Sequence, residues 1–182
     1  MRRLPLLTPL LALALLTGCA SGPTRVTDAD APRSLAGEGP VQVRWDDPEA
    51  FSEIRLSGNR WEAARGNWVE RLAEHVRDRA APRLAPGQRL DVTFHDIRRA
   101  GNYEPWRGPQ ADRIRYVRDI YPPRVDLSFR LTGADGSVLA EGERRLSDPG
   151  FLTGASTLDG SDTLRFEKRL LDRWIQREFP RS

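Results

Sequence analysis

The sharpest chemistry in the chain lies in four residues, Leu16-Thr17-Gly18-Cys19. They close a leader with a basic start (Arg2, Arg3) and an apolar middle from Leu4 to Leu16, about 13 residues where a bilayer crossing needs roughly 20. A leader of that shape is a signal peptide rather than a membrane span. The block matches the bacterial lipobox at all four positions, and Cys19, the one cysteine, stands where cleavage leaves a new N-terminus. The expected product is a thioether to a diacylglyceryl group, whose chains contribute about 0.8 kcal/mol per buried methylene to membrane anchoring. Ala20, not Asp, follows, which by the lipoprotein sorting pattern predicts the inner leaflet of the outer membrane, facing the periplasm. With no second cysteine there is no disulfide, and stability must come from an apolar core.

Other reactive side chains offer less. The histidines are His75, beside a helical apolar stripe, and His95, on a strand. Asp96 follows His95 directly, and neighbours on a regular strand point to opposite faces, which spoils a simple dyad. Neither Gly-x-Ser-x-Gly, His-Glu-x-x-His nor a Walker loop occurs, and no local spacing supports a zinc site. The expectation is therefore a non-catalytic protein with no metal and no cofactor. Paired carboxylates such as Glu104 with Asp119 or Asp126 keep a small hydrolase of an envelope glycan or small molecule as the alternative. A pocket with converging, proton-retaining carboxylates would favour that alternative, and a flat patch exposing Trp106 and Arg107 would favour docking.

The candidate interaction residues gather around one segment: His95, Asp96, Tyr103, Glu104, Trp106, Arg107, Arg115, Arg118 and Asp119. Loops longer than about 12–15 residues are usually functional or disordered. Tyr103, Trp106, Ile114, Tyr116, Val117 and Tyr121 give the stretch from about Arg98 to Pro123 apolar anchors that disordered segments lack. Trp and Arg are the residue types that anchor interfaces, and grouped arginines grip carboxylate or phosphate through paired hydrogen bonds. The competing reading tucks Trp106 into the domain and pairs the arginines with Glu104, Asp112 and Asp119.

These residues need a scaffold, and alternation supplies it. Val41, Val43 and Trp45 read as a half-buried strand. Asn59 with Glu62 caps a helix whose stripe is Trp61, Ala64, Trp68, Leu72, Val76 and Ala80, ended by Pro82; Gly66 inside it implies close packing or a bend. Leu90, Val92 and Phe94 mark a second strand. Val125, Leu127, Phe129 and Leu131 mark a third, turned at Gly133-Ala134-Asp135-Gly136 into a fourth from Val138. A last helix starts near Ser161 or Asp162 with the stripe Leu164, Leu171, Trp174, Ile175 and Phe179. The predicted fold class is α+β, a four-stranded mainly antiparallel sheet with two helices packed on one face, in the order β-α-β-β-β-α. The other face, carrying Asp91, Thr93, His95, Asp126, Ser128, Arg130, Glu141 and Glu143, is expected to be solvated.

Composition assigns residues 1–18 to the leader, 19–40 to the lipidated cysteine and a flexible linker, and 41–182 to a single domain. Loss of Arg2 and Arg3 takes 29 basic residues to 27, against 26 acidic. A nearly neutral mature chain argues against nucleic acid. The expected partners are a membrane, through the anchor, and an envelope protein; oligomeric state is left open.

Three runs, Glu104-Pro105-Trp106-Arg107-Gly108-Pro109, Val117-Arg118-Asp119-Ile120-Tyr121-Pro122-Pro123-Arg124 and Gly142-Glu143-Arg144-Arg145-Leu146-Ser147-Asp148, follow an opening Val43-Arg44-Trp45-Asp46-Asp47-Pro48 and Phe51. Together they resemble a bacterial family known only as domain of unknown function 3016, over about Val41 to Glu178. The resemblance implies an exported proteobacterial protein of about this size and transfers no catalytic residue.

Overall fold

The computed structural model describes residues 25–153 and 161–180. Cys19 and the leader lie outside them. Strand β1 (Val41–Trp45) alternates inward Val41, Val43 and Trp45 with outward Gln42 and Arg44. The chain then crosses one face of the sheet through two single-turn helices, α1 (Ser52–Arg55) and α2 (Arg60–Ala63), and the longer α3 (Trp68–Ala80). It returns as β2 (Arg89–Arg98), parallel to β1, as a crossover of this kind permits. After the loop come β5 (Arg124–Thr132) and β6 (Val138–Ser147), both paired antiparallel, and then α4 (Arg165–Glu178). Short strands β3 (Asn102–Tyr103) and β4 (Arg115–Tyr116) form a separate ribbon within the loop. The main sheet is thus mixed, in the order β1-β2-β5-β6, and the class is α+β.

The core lies between the sheet and the pair α3 and α4. Leu90, Val92, Phe94, Val125 and Leu127 from the strands meet Leu72, Val76, Leu171 and Trp174 from the helices, all essentially inaccessible. Each such side chain is worth about 1.5–3 kcal/mol when fully buried. Phe129, Trp174 and Phe179 close one corner edge to face, with centroids 5.6–6.0 Å apart. His75 is a bridge between the two helices: its Nε2 lies 3.0 Å from Asp172 Oδ1, which also accepts from Arg79 at 2.8 Å.

Three expectations change. The single helix expected from Asn59 to Ala80 is two. Asn59 does cap, its side chain accepting from the Glu62 N–H at 3.1 Å, but Gly66 adopts φ +82°, a left-handed backbone that ends the run. No atom lies close to where a Gly66 Cβ would stand, so the glycine serves the break rather than close packing. Trp68 Nε1 donates to the Ala63 carbonyl across the break. With the run broken at Gly66, Trp61 leaves the stripe and is 67% exposed.

Secondly, residues 25–40 do not run as a free linker. Val26 and Leu35 are buried, Val26 N–H donates to Ala64, and Leu35 N–H donates to Val43 while Trp45 N–H donates to Arg33. Arg33 to Leu35 lie antiparallel along the outer edge of β1 and cover an edge that would otherwise present unpaired backbone.

The third change is at His95 and Asp96. The β2–β5 register shifts between Phe94 and Asp96, and Phe94 and Ile97, three residues apart, are both fully buried. An extra residue at a bulge restores the inward phase, so His95 and Asp96 both fall outside the core face instead of pointing oppositely.

Candidate functional site

The loop between β2 and β5 is built on two buried carboxylates. Glu53, on α1, accepts from the Arg99 backbone N–H (2.9 Å), from Arg99 Nε and Nη2 (3.1 and 2.9 Å) and from Arg115 Nη1 and Nη2 (2.7 and 3.0 Å). Burial pushes the Glu53 carboxyl up, but the charges and hydrogen bonds of Arg99 and Arg115 more than reverse this and hold it below the usual range. Arg115 also donates to the carbonyls of Arg99, Ala100 and Gly101. That clamps the turn at Gly101, whose φ of +82° suits glycine. Beneath the turn, Glu167 accepts from Ala100 N–H at 2.6 Å; burial pushes its carboxyl up, and its second oxygen has no protein partner.

Glu104 is the second carboxylate, with 0% of its surface accessible. It accepts from Arg107 Nε, from Arg118 Nη1 at 2.9 Å and from the Tyr121 hydroxyl at 3.0 Å. Burial raises its carboxyl, and those three donors bring it below the usual range. The same burial and the Glu104 charge push the Tyr121 hydroxyl up. Arg107 lies over Tyr116 and Arg115 over the buried Tyr103. Glu104 is thus an ionised strut, without a proton to donate and out of reach of a substrate.

With the carboxylates Glu53 and Glu104 turned inward, the loop turns apolar groups outward. Trp106, on a 3-10 turn (Pro105–Arg107), is 68% exposed, and Ile114, Val117 and Ile120 are exposed beyond it. A second exposed pair is Leu56, at the end of α1, and Trp61, on α2. The two segments touch: Gly58 N–H donates to Asn102 Oδ1 and Asn59 Nδ2 to the Asp112 carbonyl. A Cβ at Gly58 would stand 2.2 Å from the Tyr103 carbonyl oxygen, so only glycine allows this approach. Arg25 stacks over Trp61, 3.1 Å from the ring centroid, and its Nη1 donates to the Trp61 carbonyl.

The structure therefore brings together Tyr103, Glu104, Trp106, Arg107, Arg115 and Arg118, and separates His95, Asp96 and Asp119 from them. Asp119 is exposed, its side chain accepting from the next backbone N–H. Asp96 ties β2 to α1, accepting from Ser52 N–H at 2.5 Å and Ser52 Oγ at 2.6 Å. Glu53, Arg99 and Trp61 were not anticipated at the site, and Tyr121 was expected only as an apolar anchor of the loop. Glu53 has no local signal, since its partners lie 46 and 62 residues away; the signal for Trp61 was Gly66.

On the open sheet face His95 Nε2 lies 2.8 Å from Ser128 Oγ and its Nδ1 2.9 Å from Asp46 Oδ2. That is the connectivity of a serine-hydrolase triad. Ser128, however, sits on the central strand β5 with partners on both sides. Its backbone N–H belongs to the ladder and cannot face a developing oxyanion, and His95 and Asp46 stand open to water, each with about half its side chain exposed. Asp126, paired across from Asp96, is pushed up by burial and by that neighbouring charge, but it is on this face and not near Glu104. Among the described residues no three His, Cys, Asp or Glu side chains gather as metal ligands.

A family model described as a protein of unknown function, DUF3016, matches residues 39–177. No curated protein and no solved structure matches the chain.

Proposed function

From the premise that the chain belongs to the DUF3016 family, we propose that it is a non-catalytic lipoprotein that docks an envelope component through the 98–123 loop. In this reading Cys19 carries the acyl anchor in the inner leaflet of the outer membrane and the domain faces the periplasm. The observation that carries it is the polarity of the loop. Its carboxylate Glu104 is sealed and neutralised from within, while Trp106 is left 68% exposed. A chain that merely needed to close a loop would bury its tryptophan; exposed aromatic groups held on a rigid support are what interfaces use. Against the hydrolase alternative stands Glu104, which is inaccessible and accepts hydrogen bonds from Arg107, Arg118 and Tyr121.

A photoreactive residue at the exposed Gln110, close to Trp106, tests the reading in intact cells. Adducts to one dominant envelope component, lost on Trp106→Ala, are the expected result. The same adducts from Trp106→Ala, or none from either protein, would overturn the docking role.

A further inference from the structure

We infer that the docked component is the bilayer itself: the exposed cluster of Leu56, Trp61, Trp106, Ile114, Val117 and Ile120 seats in the headgroup layer of the membrane that holds the Cys19 acyl chains. The inference rests on the anchored-lipoprotein reading and adds to it an orientation. Where the chain enters the domain decides the matter. Arg25 is fastened to Trp61 by its stacked guanidinium and its hydrogen bond, and Val26 is buried behind it. Only five residues, Ala20 to Thr24, separate Cys19 from Arg25, a span of at most about 20 Å when fully extended. With residues 25–40 packed on the domain, the tether is short and leaves from the apolar cluster. An acylated Cys19 in a leaflet therefore keeps Arg25, and Trp61 stacked beneath it, within about 20 Å of that leaflet.

The composition of the cluster fits that occupant. Tryptophan is the residue of membrane interfaces, where an apolar ring and a polar N–H share one level. Nearly every exposed apolar residue here is followed or preceded by arginine, in the pairs Arg55-Leu56, Arg60-Trp61, Trp106-Arg107, Arg113-Ile114 and Val117-Arg118. Arginine reaches phosphate oxygens with two hydrogen bonds at once, and its stem lies along apolar surface. A planar surface carrying phosphates above acyl chains satisfies both groups; insertion is shallow, about 5–10 Å. Gly58 and the Glu104 strut hold the two tryptophan-bearing segments in one rigid unit.

The test uses the mature acylated chain reconstituted in phosphatidylethanolamine and phosphatidylglycerol vesicles, with or without lipids brominated high on the acyl chain. Trp45, Trp68 and Trp174 are buried, so Trp61 and Trp106 are the two of five tryptophans open to a lipid quencher. Emission is expected to fall by up to about two fifths with brominated lipid, and the Trp61→Phe, Trp106→Phe double variant to lose that response. Unchanged emission from a chain that is acylated and sediments with the vesicles would overturn the seating and leave the anchor standing. A chain whose mass shows unmodified Cys19 and which stays in the supernatant would overturn the anchor and the seating together. Adducts from Gln110 to a protein rather than to phospholipid would overturn the seating in favour of a protein partner.

Discussion

The loop end of the molecule and the open face of its sheet are built from similar residues in opposite senses. On the sheet face the charges point outward and pair across strands, as Arg130 and Glu141 do at 2.9 Å with more than half of each side chain exposed; the apolar partners of the same strands fill the core. At the loop end Glu53 and Glu104 are inside, their arginines converge on them, and tryptophan and isoleucine face outward. Arginine–carboxylate pairing thus does two different jobs. On a wet sheet it adds little, because water competes for both partners. In the loop it replaces an apolar core, fixing the backbone through bidentate bonds so that apolar groups are free to remain on the surface.

The largest expected effect removes that inner pairing. Glu53→Gln leaves Arg99 and Arg115 buried without their counter-charge, a loss of about 3–5 kcal/mol for breaking a buried pair and a fall in Tm of about 10 °C in a domain of this size. Thermal denaturation that shows a change no greater than at an exposed position would erase the contrast. A pH series sharpens it. Glu53 titrates below its ordinary value of 4.5, so its stabilisation is complete above that pH and is lost as pH falls further through the folded value. Glu167 titrates above 4.5. Its contribution is therefore present below the ordinary value and lost as pH rises through the folded one. Glu167→Gln, which keeps the neutral form, should raise Tm relative to the wild type at pH 8 and have no such effect at pH 4; equal shifts at both would show that its charge state is irrelevant.

On the sheet face the effects should be small. Arg130→Ala is expected to cost less than about 1 kcal/mol, within about 2–4 °C in Tm, and a double-mutant cycle with Glu141→Ala should find little coupling. A loss comparable to that of Glu53→Gln would mean that the two regions do not differ as described. The smallest expected change is none: Ser128 should not be labelled by a fluorophosphonate, since no oxyanion donor accompanies His95 and Asp46. Labelling that disappears in His95→Ala would place the chain among serine hydrolases.

Much of this scaffold could be read from alternation. The strand patterns at Val41 to Trp45, Leu90 to Phe94 and Val125 to Leu131, and the stripe of α4, follow from one buried face per element, a constraint written locally in the chain. The α2–α3 break was not readable from periodicity, because Trp61, Ala64 and Trp68 keep a helical spacing across Gly66 and only the glycine marks the change. The bulge after Phe94 leaves one trace in β2, the step of three from Phe94 to Ile97 where the earlier apolar residues step by two, and the expected strand stops short of it. The fastening of residues 25–40 was hidden by their Ser, Gly and Pro content, which suits a linker equally well until Val26 and Leu35 are seen to be buried. At the site, Trp106 and its arginines were visible by type, whereas Glu53 became meaningful only when the chain folded it against Arg99 and Arg115.

The segment from Arg33 to Leu35 that seals β1 also limits self-association. Among the described residues β6 ends the sheet on the other side, so two copies meeting strand to strand would use up both free borders in a single two-fold contact. Accretion by that route stops at a pair and cannot propagate into a fibre.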